Sequence, residues 1–507
     1  MARLLPVHDS SPLMVDSVAG VRQLDQAIID AQGDDGLALM TEAGDAAFAA
    51  LRALWPEASR VGVLAGAGNN GGDGWVVARL AQAAGLTVCV LNVGDDTKGS
   101  SAALAARAAA EAEGVTAEPL TSEALAALEA DVIVDGLLGT GLASALRAPY
   151  PEWIEQINQH PAAVLALDVP SGLNADTGQI MGACVKADAT VTFISVKTGL
   201  LTGDGPDVTG VLDVAPLSLD ALAREQVTPL AQRINARQQL LDGLPERRGN
   251  SNKGQYGHAL MIGGTQGLGG AVAMAVDACC RSGAGLTSCA THPDNQTLVL
   301  MHRPECMAQG IGSGLELLPM LERATVIGCG PGLGTSSWSE LLLQQTLLSE
   351  LPCVLDADAL NILASPGWHL DCSERDAIIT PHPGEAARLL NQTVADIQAD
   401  RVAAALALAE SFQVVAVLKG QGTVIASPEG QVAICTDGNP GMSSGGMGDV
   451  LTGVLTALLA QGLTPWQAAC LGVSVHSAAA DQLAADHGMR GLLASDLTPV
   501  IRELLNT

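Results

Sequence analysis

The chain has 507 residues, which is too long for one typical hydrophobic core, so two domains are expected. Its net charge of −29 makes nucleic acid and anionic membranes poor partners, and its 48% hydrophobic content argues against disorder. The eleven cysteines form no C-x-x-C pair, and no apolar stretch is long enough for a signal peptide or a membrane span. These features predict a cytoplasmic protein that acts on small molecules.

The first half of the chain alternates between helical and strand patterns, as in a parallel sheet covered by helices. The predicted elements are helices at 21–31 and within 33–54, a strand at 61–65, a glycine-rich loop at 66–74, a helix at 75–84, and strands at 86–92, 131–135 and 162–167. Because the strands lead into polar loops, their carboxyl ends should face one crevice.

The loop at 66–74 contains the pattern G-x-G-x-x-G over residues 66–71. With Asp95 behind the next strand as a ribose ligand, this pattern would suit a dinucleotide-binding dehydrogenase. A tight turn without a ligand is another interpretation. The loop also carries three polar side chains, those of Asn69, Asn70 and Asp73. They make it more polar than a pyrophosphate-binding turn requires.

Three oxygen-bearing side chains follow three of the predicted strands, namely Asn70, Asp135 and Ser171. At one edge of a parallel sheet they could meet as hard ligands of a monovalent or alkaline-earth cation. Taken singly, each acid at these strand ends is better explained as a helix or turn cap.

Together, residues 69–73, 135–142 and 168–172 resemble the NAD(P)H-hydrate epimerase family, as does the stretch at 187–200. The resemblance covers about residues 12–217. It implies that the hydrated nicotinamide dinucleotide is bound by Asn69, Asn70, Gly71, Gly72, Asp73, Gly139, Thr140, Gly141, Leu142, Ala143, Ser144, Ala145 and Asp168. It also implies potassium at Asn70, Asp135 and Ser171. Asp168 becomes the candidate acid/base at the carbon whose configuration changes.

The second half of the chain begins after a joint. Residues 216–248 show no strand pattern, so we place the joint at 223–226, which predicts domains at 1–224 and 225–507. The predicted elements beyond it are strands at 258–262, 286–291, 325–328, 354–356, 378–380 and 414–418, and helices at 271–281, from 337 and at 386–390.

Four polar residues at strand ends of the second half are candidates for function. Asp356 and Asp358 could hold magnesium directly or through water, or could form a strand-end turn. His382 lies between two prolines, a pre-organised position that favours ligand contact over a purely structural role. Lys419 adjoins a glycine turn, which favours nucleotide contact over snorkelling to solvent. No G-x-x-x-x-G-K-[ST] pattern occurs, which excludes a standard P-loop.

A second glycine-rich loop places Gly445, Gly446 and Gly448 directly before an apolar helical pattern at 450–459. Backbone N–H groups at such a helix start can close around a phosphate. Asp449 at this junction is awkward beside an anion unless it acts as a base towards a hydroxyl that attacks phosphorus. The alternative, a helix N-cap, does not require so many glycines.

The order of elements in the second half resembles the ribokinase-like superfamily and, within it, the ADP-dependent NAD(P)H-hydrate dehydratase family. The matching segments are 355–361, 380–385, 418–423 and 438–449, and the resemblance covers about residues 240–505. It implies that the hydrate contacts Ala271, Gly332, His382 and Asp449. It implies that the adenine nucleotide is held by Lys419, Gly420, Gln421, Gly422, Thr423 and Gly448.

The two resemblances imply an α/β protein of two three-layer αβα domains, the first Rossmann-like and the second ribokinase-like. The implied function is to epimerise the R and S forms of hydrated NADH or NADPH and to dehydrate the S form with ADP, giving AMP and phosphate. Potassium is expected in the first domain, magnesium in the second, and a homo-oligomer as the assembly. Two rival hypotheses are a small-molecule kinase fused to a binding domain and a non-catalytic dinucleotide sensor.

Overall fold

The computed structural model describes residues 5–6, 13–93, 99–242, 244, 246–369, 372–373 and 375–506. The chain forms two compact units, Met1–Gln232 and Arg233–Thr507. Asp95, considered above as a ribose ligand, lies outside the described residues. Within the described residues, no helix is both long enough and apolar enough to cross a membrane.

The first unit is built around a mainly parallel sheet. In chain order its elements are β1 (Leu5–Pro6), β2 (Leu13–Asp16), α1 (Val18–Gln32), α2 (Leu37–Leu54), β3 (Arg60–Ala65), α3 (Asn69–Ala83), β4 (Thr87–Asn92), α4 (Ser101–Ala112), β5 (Ala117–Pro119), α5 (Ser122–Ala126), β6 (Val132–Gly136), α6 (Tyr150–Gln159), β7 (Ala163–Leu167), β8 (Ala189–Phe193), β9 (Val196–Lys197), α7 (Gly205–Thr209), β10 (Val211–Ala215) and α8 (Ala221–Glu225). The strand order is β1-β10-β8-β7-β6-β3-β4-β5. These strands pair in parallel except β1, which is antiparallel to β10.

Helices cover both faces of this sheet because its strands are apolar on both sides. Val61 and Val63 of β3 belong to a buried cluster that includes Trp75 of α3. Leu64, the residue after Val63, belongs to a second buried cluster, which includes Trp153 of α6. Successive side chains of a strand point to opposite faces, so a continuous apolar strand requires two covering layers. The predicted αβα arrangement of the first domain is confirmed.

The second unit contains a larger, mixed sheet. Its elements are α9 (Ala236–Asp242), β12 (His258–Ile262), α10 (Gly269–Arg281), β13 (Leu286–Thr291), α11 (Gln296–His302), β14 (Met307–Gly310), α12 (Gly314–Leu321), β15 (Val326–Cys329), α13 (Ser337–Leu348), β16 (Cys353–Leu355), α14 (Asp358–Leu363), β17 (Ala377–Ile379), α15 (Pro383–Leu390), α16 (Val394–Ala399), α17 (Arg401–Phe412), β18 (Val415–Leu418), β19 (Thr423–Ala426), β20 (Val432–Cys435), α18 (Met447–Ala460), α19 (Pro465–His487) and α20 (Ala494–Leu504). The strand β11 (Ala231–Ile234) crosses the division between the units. The order β14-β13-β12-β15-β16-β17-β18 is parallel, and β18, β19 and β20 form an antiparallel meander.

The structure corrects two local predictions. The helix predicted at 75–84 begins at Asn69, so the polar part of the predicted loop forms the first turns of α3. Glycine is a poor helix former, and its frequency there concealed the helix start. Residues 216–248, which show no strand pattern, contain β11. Its Arg233 is only 1% exposed, so a buried charge concealed the strand.

The helices α10 and α18 pack closely because small residues line their contact. A Cβ atom added at Gly453 of α18 would lie 2.1 Å from the backbone oxygen of Ala275 and 2.8 Å from the Cβ of Ala278 in α10. Beyond its first turn α18 is almost wholly buried. The position of its first turn is therefore fixed by the core of the unit.

We predict that Gly453→Ala destabilises the protein by about 1–3 kcal/mol, because overpacking must push α10 and α18 apart. Gly270→Ala is the matched control, since a Cβ atom at this exposed position of α10 meets nothing within 4 Å. At a free helix position alanine stabilises by roughly 0.5–1 kcal/mol relative to glycine. Denaturant unfolding of both variants measures the difference, and equal stability would contradict the packing argument.

Candidate active sites

The first unit contains a cavity of about 620 Å³ at the carboxyl ends of its strands. Its walls come from the segments that follow β3, β6 and β7, and from α1 and α2. Many of the predicted site residues line it, namely Asn69, Asn70, Asp73, Gly139, Thr140, Gly141, Leu142 and Asp168. The polar loops that the sequence assigned to one crevice are thus brought together.

The other predicted residues of this site are not among those that line the cavity; they are Gly71, Gly72, Ala143, Ser144 and Ala145. The two glycines have a packing role instead. A Cβ atom at Gly71 would lie 1.8 Å from the backbone oxygen of Gly66, and one at Gly72 would lie 2.6 Å from the sulfur of Met40. Only glycine permits the close approach of α3 to its neighbours at these two positions.

The predicted cation ligands form a buried cluster. Asp135 is fully buried, and its carboxylate accepts hydrogen bonds from Ser171 Oγ at 2.6 Å and Ser171 N at 2.8 Å. Burial raises the pKa of Asp135 despite these bonds. Ser171 Oγ and Asn70 Nδ2 both contact the backbone of Leu138. Within the described residues, Asp135 has no ion-pair partner and the buried Asn70 Oδ1 has no hydrogen-bond partner. An uncompensated buried carboxylate and an unpartnered carbonyl oxygen fit a bound potassium ion.

Asp168 is fixed at the cavity wall by several contacts. Its backbone is left-handed, with φ +64°, and its carboxylate accepts hydrogen bonds from Lys197 Nζ, Thr192 Oγ1 and the Phe193 N–H. Lys197 is fully buried and also donates to Thr192 Oγ1 at 3.0 Å. Lys197 was not among the predicted site residues. Its position directly after a buried strand, in a chain with five lysines, was the available signal.

Three further carboxyl groups line the same cavity, those of Asp25, Asp35 and Asp73. Burial raises the pKa of Asp25 to about 6, with Lys197 lowering it and Asp168 raising it. Burial also raises the pKa of Asp73 well above its ordinary value, and the nearby charges of Asp168 and Asp25 raise it further. Sequence reasoning missed Asp25 because α1 precedes the sheet and carries no motif.

In the second unit, the glycine loop leads directly into α18. Gly446 is the N-cap, with φ +95°, and Gly448 and Asp449 lie in the first turn. The N–H groups of a first turn have no intrahelical partners and favour an anion. A Cβ atom at Gly448 would lie 3.2 Å from Lys419 Nζ and 3.3 Å from Asp356 Oδ2. The absence of a side chain here keeps the turn open directly beside a partly buried ion pair.

That ion pair joins Asp356 and Lys419, whose Oδ1 and Nζ atoms are 2.7 Å apart. Thr452 of α18 donates a hydrogen bond to the other carboxylate oxygen at 2.8 Å. Burial alone would raise the pKa of Asp356, but Lys419 and the hydroxyl donors lower it overall. Asp356 is therefore a fully charged carboxylate below the first turn of α18.

Asp449 differs from Asp356 in having no such partner. Within the described residues its half-buried carboxyl makes no hydrogen bond or ion pair. Burial raises its pKa to about 7, with the charges of Asp356 and Asp358 adding to the rise and Lys419 opposing it. A carboxyl group that titrates near neutral pH at a helix N-terminus suits a general base.

The second acid of the predicted metal pair has a structural role. Asp358 accepts a hydrogen bond from the Gly334 N–H at 2.8 Å and one from the Asn361 side chain. Both oxygens of Asp356 are already engaged. Within the described residues, no group of three His, Cys, Asp or Glu side chains could hold a metal ion. Asp356 and Asp358 are held by other contacts in this structure, and their role as magnesium ligands stays a prediction.

His382 caps α15, because its Nδ1 accepts hydrogen bonds from the N–H groups of Gly384 and Glu385. Its side chain is still 52% exposed. Gly332 and Ala271 are brought together, since a Cβ atom on Gly332 would lie 3.0 Å from that of Ala271. The sequence favoured ligand contact for His382 over a structural role, and its contacts show that His382 does have a structural role, as a helix cap.

The predicted nucleotide segment, Lys419, Gly420, Gln421, Gly422 and Thr423, forms the turn between β18 and β19. Arg401, almost fully buried, donates to the backbone oxygens of Leu418 and Lys419 and supports the turn from below. A Cβ atom at Gly420 would lie 2.9 Å from the Arg401 guanidinium. Sequence reasoning missed Arg401, which carries no motif.

Comparison with known proteins matches each half of the chain to a family. Residues 36–199 match the family described as YjeF-related protein N-terminus, and residues 259–503 match NAD(P)H-hydrate dehydratase. A ribokinase-like superfamily protein from Enterococcus faecalis superimposes with a TM-score of 0.50 and 28% identity, over 54% of this chain and 95% of that one. An ADP/ATP-dependent NAD(P)H-hydrate dehydratase from Bacillus subtilis, crystallised with ATP and Mg²⁺, is 31% identical over 52% of this chain and 94% of its own, with a TM-score of 0.47.

The bifunctional NAD(P)H-hydrate repair enzyme of Coxiella burnetii matches nearly the entire chain. It is 46% identical over 96% of this chain and 98% of its own length. The predicted pair of α/β domains is confirmed by these matches together with the fold. The chain belongs to the family of bifunctional NAD(P)H-hydrate repair enzymes.

Proposed function

We propose that the second unit removes water from the S form of hydrated NADH or NADPH, with ADP as co-substrate and Asp449 as the base. The observation that carries this proposal is the unpaired carboxyl of Asp449, with a pKa of about 7, among the free N–H groups of the α18 first turn. Such a group can accept a proton at the place where phosphate charge is stabilised.

The reaction follows from the substrate, whose hydroxyl group leaves poorly unaided. Asp449 accepts the hydroxyl proton while that oxygen attacks the terminal phosphoryl group of ADP, and AMP departs. Backbone N–H groups of Gly446–Gly448 stabilise the developing charge, and Lys419 and the turn to Thr423 hold the nucleotide. Phosphate then leaves as the ring nitrogen donates its lone pair, and loss of a proton from the neighbouring carbon restores the reduced ring.

The contacts of the hydrate are proposed at Ala271, Gly332 and His382. Gly332 and Ala271 present little side-chain bulk at their point of approach, and His382 keeps an exposed ring edge while it caps α15. Magnesium, where it takes part, would arrive with the phosphates of ADP, because Asp356 and Asp358 are engaged in other contacts.

We further propose that the first unit interconverts the R and S forms in its cavity, with Asp168 as an acid/base. The hydrated dinucleotide would contact Asn69, Asn70, Asp73 and residues 139–142. Potassium would be held by Asn70, Asp135 and Ser171. It would compensate the buried charge of Asp135 and tie together the segments that follow β3, β6 and β7.

We predict that Asp449→Asn abolishes dehydration and leaves epimerisation intact, because the amide cannot accept the hydroxyl proton. Dehydration in a mixture of both epimers with ADP is monitored through the return of reduced-nicotinamide absorbance. Epimer exchange is monitored by chromatography. Asp486→Asn, at an exposed position of α19, is the matched control. Normal dehydration by Asp449→Asn would refute the base assignment, and no recovery by the unaltered protein would refute the function.

We predict that the dehydration kcat/KM rises with pH and levels off above about 7, since Asp449 is protonated and inactive below its pKa. Asp358→Asn removes a negative charge that raises this pKa, so the rising limb should move to lower pH. The pH profiles of both proteins test this expectation. A limb that stays in place would show that another group controls the rate.

We predict that replacing potassium by tetramethylammonium at equal ionic strength lowers the melting temperature and the epimerase rate while sparing dehydration. At a concentration of 100 times Kd, a bound ion stabilises the folded state by about 2.7 kcal/mol. Asp135→Asn should lose the potassium-dependent shift, because the amide no longer supplies the charge. An equal shift in that variant would place the ion elsewhere.

A further inference from the structure

The carbon that changes configuration in an epimerisation must exchange a group between its two faces. When a hydroxyl leaves from one face and water adds to the other, each face needs a group that can give or take a proton. Asp168 can serve only one face, because Lys197, Thr192 and Phe193 fix its carboxylate. A second proton-transfer group is therefore required in the same cavity.

The helix α1 supplies a wall of the cavity that is independent of the strand ends. Val21, Asp25 and Ile29 all line the cavity and are spaced four residues apart, so they form one row on the helix surface. The start of α1 is held in place, because the Val18 N–H donates to Asp176 Oδ1 at 2.7 Å. Asp25 therefore projects from a firmly positioned element.

Asp25 is the charged residue of this row, and its carboxyl is not used structurally. Within the described residues it makes no hydrogen bond and no ion pair, although it is half-buried. An acid that lines a cavity without a structural partner is available to a ligand. Its neighbour Asp30 differs, since it is exposed and accepts a hydrogen bond from Gln26.

The surroundings of Asp25 bring its pKa closer to neutral pH. Burial has the largest effect and raises its pKa to about 6. The charged and titratable groups that share the cavity are Arg22 on the same helix, Asp35 before α2, Asp73 on α3, Tyr150 on α6, Asp168 after β7 and Lys197 at the end of β9. Of these, Lys197 and Arg22 lower the pKa and Asp168 raises it. Asp25 can therefore both give and take a proton near neutral pH, as the exchange between the two faces requires.

We propose that Asp25 is the second acid/base of the epimerase site, acting on the face of the substrate opposite to Asp168. This inference rests on the proposed epimerisation in the first unit. The carboxyl of Asp25 donates its proton to the hydroxyl of one epimer, the carbon–oxygen bond breaks, and the ring nitrogen lone pair forms a carbon–nitrogen double bond as water departs. A water molecule then adds to the other face, its proton passes to Asp168, and the ring nitrogen regains its lone pair. The other epimer reacts by the reverse sequence.

An assay of the intact protein tests the role of Asp25, with its dehydration activity as the internal standard. Given both epimers and ADP, dehydration of the S form produces a fast return of reduced-nicotinamide absorbance, and epimerisation limits a slow second phase. Asp25→Asn should slow the second phase by about 100-fold or more through kcat, and leave the first phase unchanged. Asp30→Asn, the same charge change on the same helix, should leave both phases unchanged.

A pH profile separates a catalytic role from a structural one. In the unaltered protein, the rate of the slow phase plotted against pH should show a rising or falling limb near pH 6. This limb should be absent from the residual rate of Asp25→Asn. A falling limb means that the R hydroxyl faces Asp25, and a rising limb means that the S hydroxyl does. Asp25→Glu keeps an ionisable acid, so it should keep the limb at a reduced kcat even if the amide variant fails to fold.

Two results would overturn the assignment. One is a slow-phase rate of Asp25→Asn within about threefold of the rate of Asp30→Asn. The other is an unchanged limb near pH 6 in the pH profile of Asp25→Asn, which would assign the proton transfer to Asp73. If the unaltered protein has a fast phase and no slow phase, the proposed epimerisation itself fails, and this outcome is distinct from both.

Discussion

A lysine–aspartate pair lies beside acids in each unit whose pKa values are raised chiefly by burial. Lys197 faces Asp168 in the first unit and Lys419 faces Asp356 in the second, although the chain has only five lysines. A carboxylate that meets such a cation remains charged inside the protein, and its negative charge makes a second nearby carboxyl harder to ionise. Each site therefore holds a charged acid beside at least one acid that can carry a proton near neutral pH.

The parallel sheets bring these groups together, and glycines keep the backbone around them accessible. In both units the acids follow the carboxyl ends of strands, or stand on a helix that begins there, as in open α/β folds generally. Gly448 is an informative case, because its missing side chain exposes the first turn of α18 to the Lys419–Asp356 pair. At Gly448, one missing side chain thus affects both the close approach of the backbone and the charges that the first turn of α18 meets.

The sequence predicted the features that are local to the chain. The strands before Asn69, Asp135, Asp168 and Asp356 showed as apolar runs, and a glycine run marked the start of α18. Features that depend on tertiary packing could not be predicted from the sequence. The glycines at the start of α3 resemble a loop, although α3 begins there. Asp25 lies on a helix without a motif, and its proximity to Lys197 arises only when α1 closes the cavity.

The net charge of the chain shows how it must hold its substrates. A hydrated dinucleotide and ADP are both anions, and a protein of net charge −29 repels them at long range. Binding must therefore rely on short-range contacts that screening by salt and distant charges affect little, chiefly backbone N–H groups at helix starts. In the second unit the lysine nearest to this anion site is already paired with Asp356. The charge of Lys419 is then largely neutralised by Asp356, so in the proposed site the backbone of the α18 first turn would carry most of the phosphate recognition. A turn that is rich in glycine and without basic residues at 438–449 agrees with this proposal.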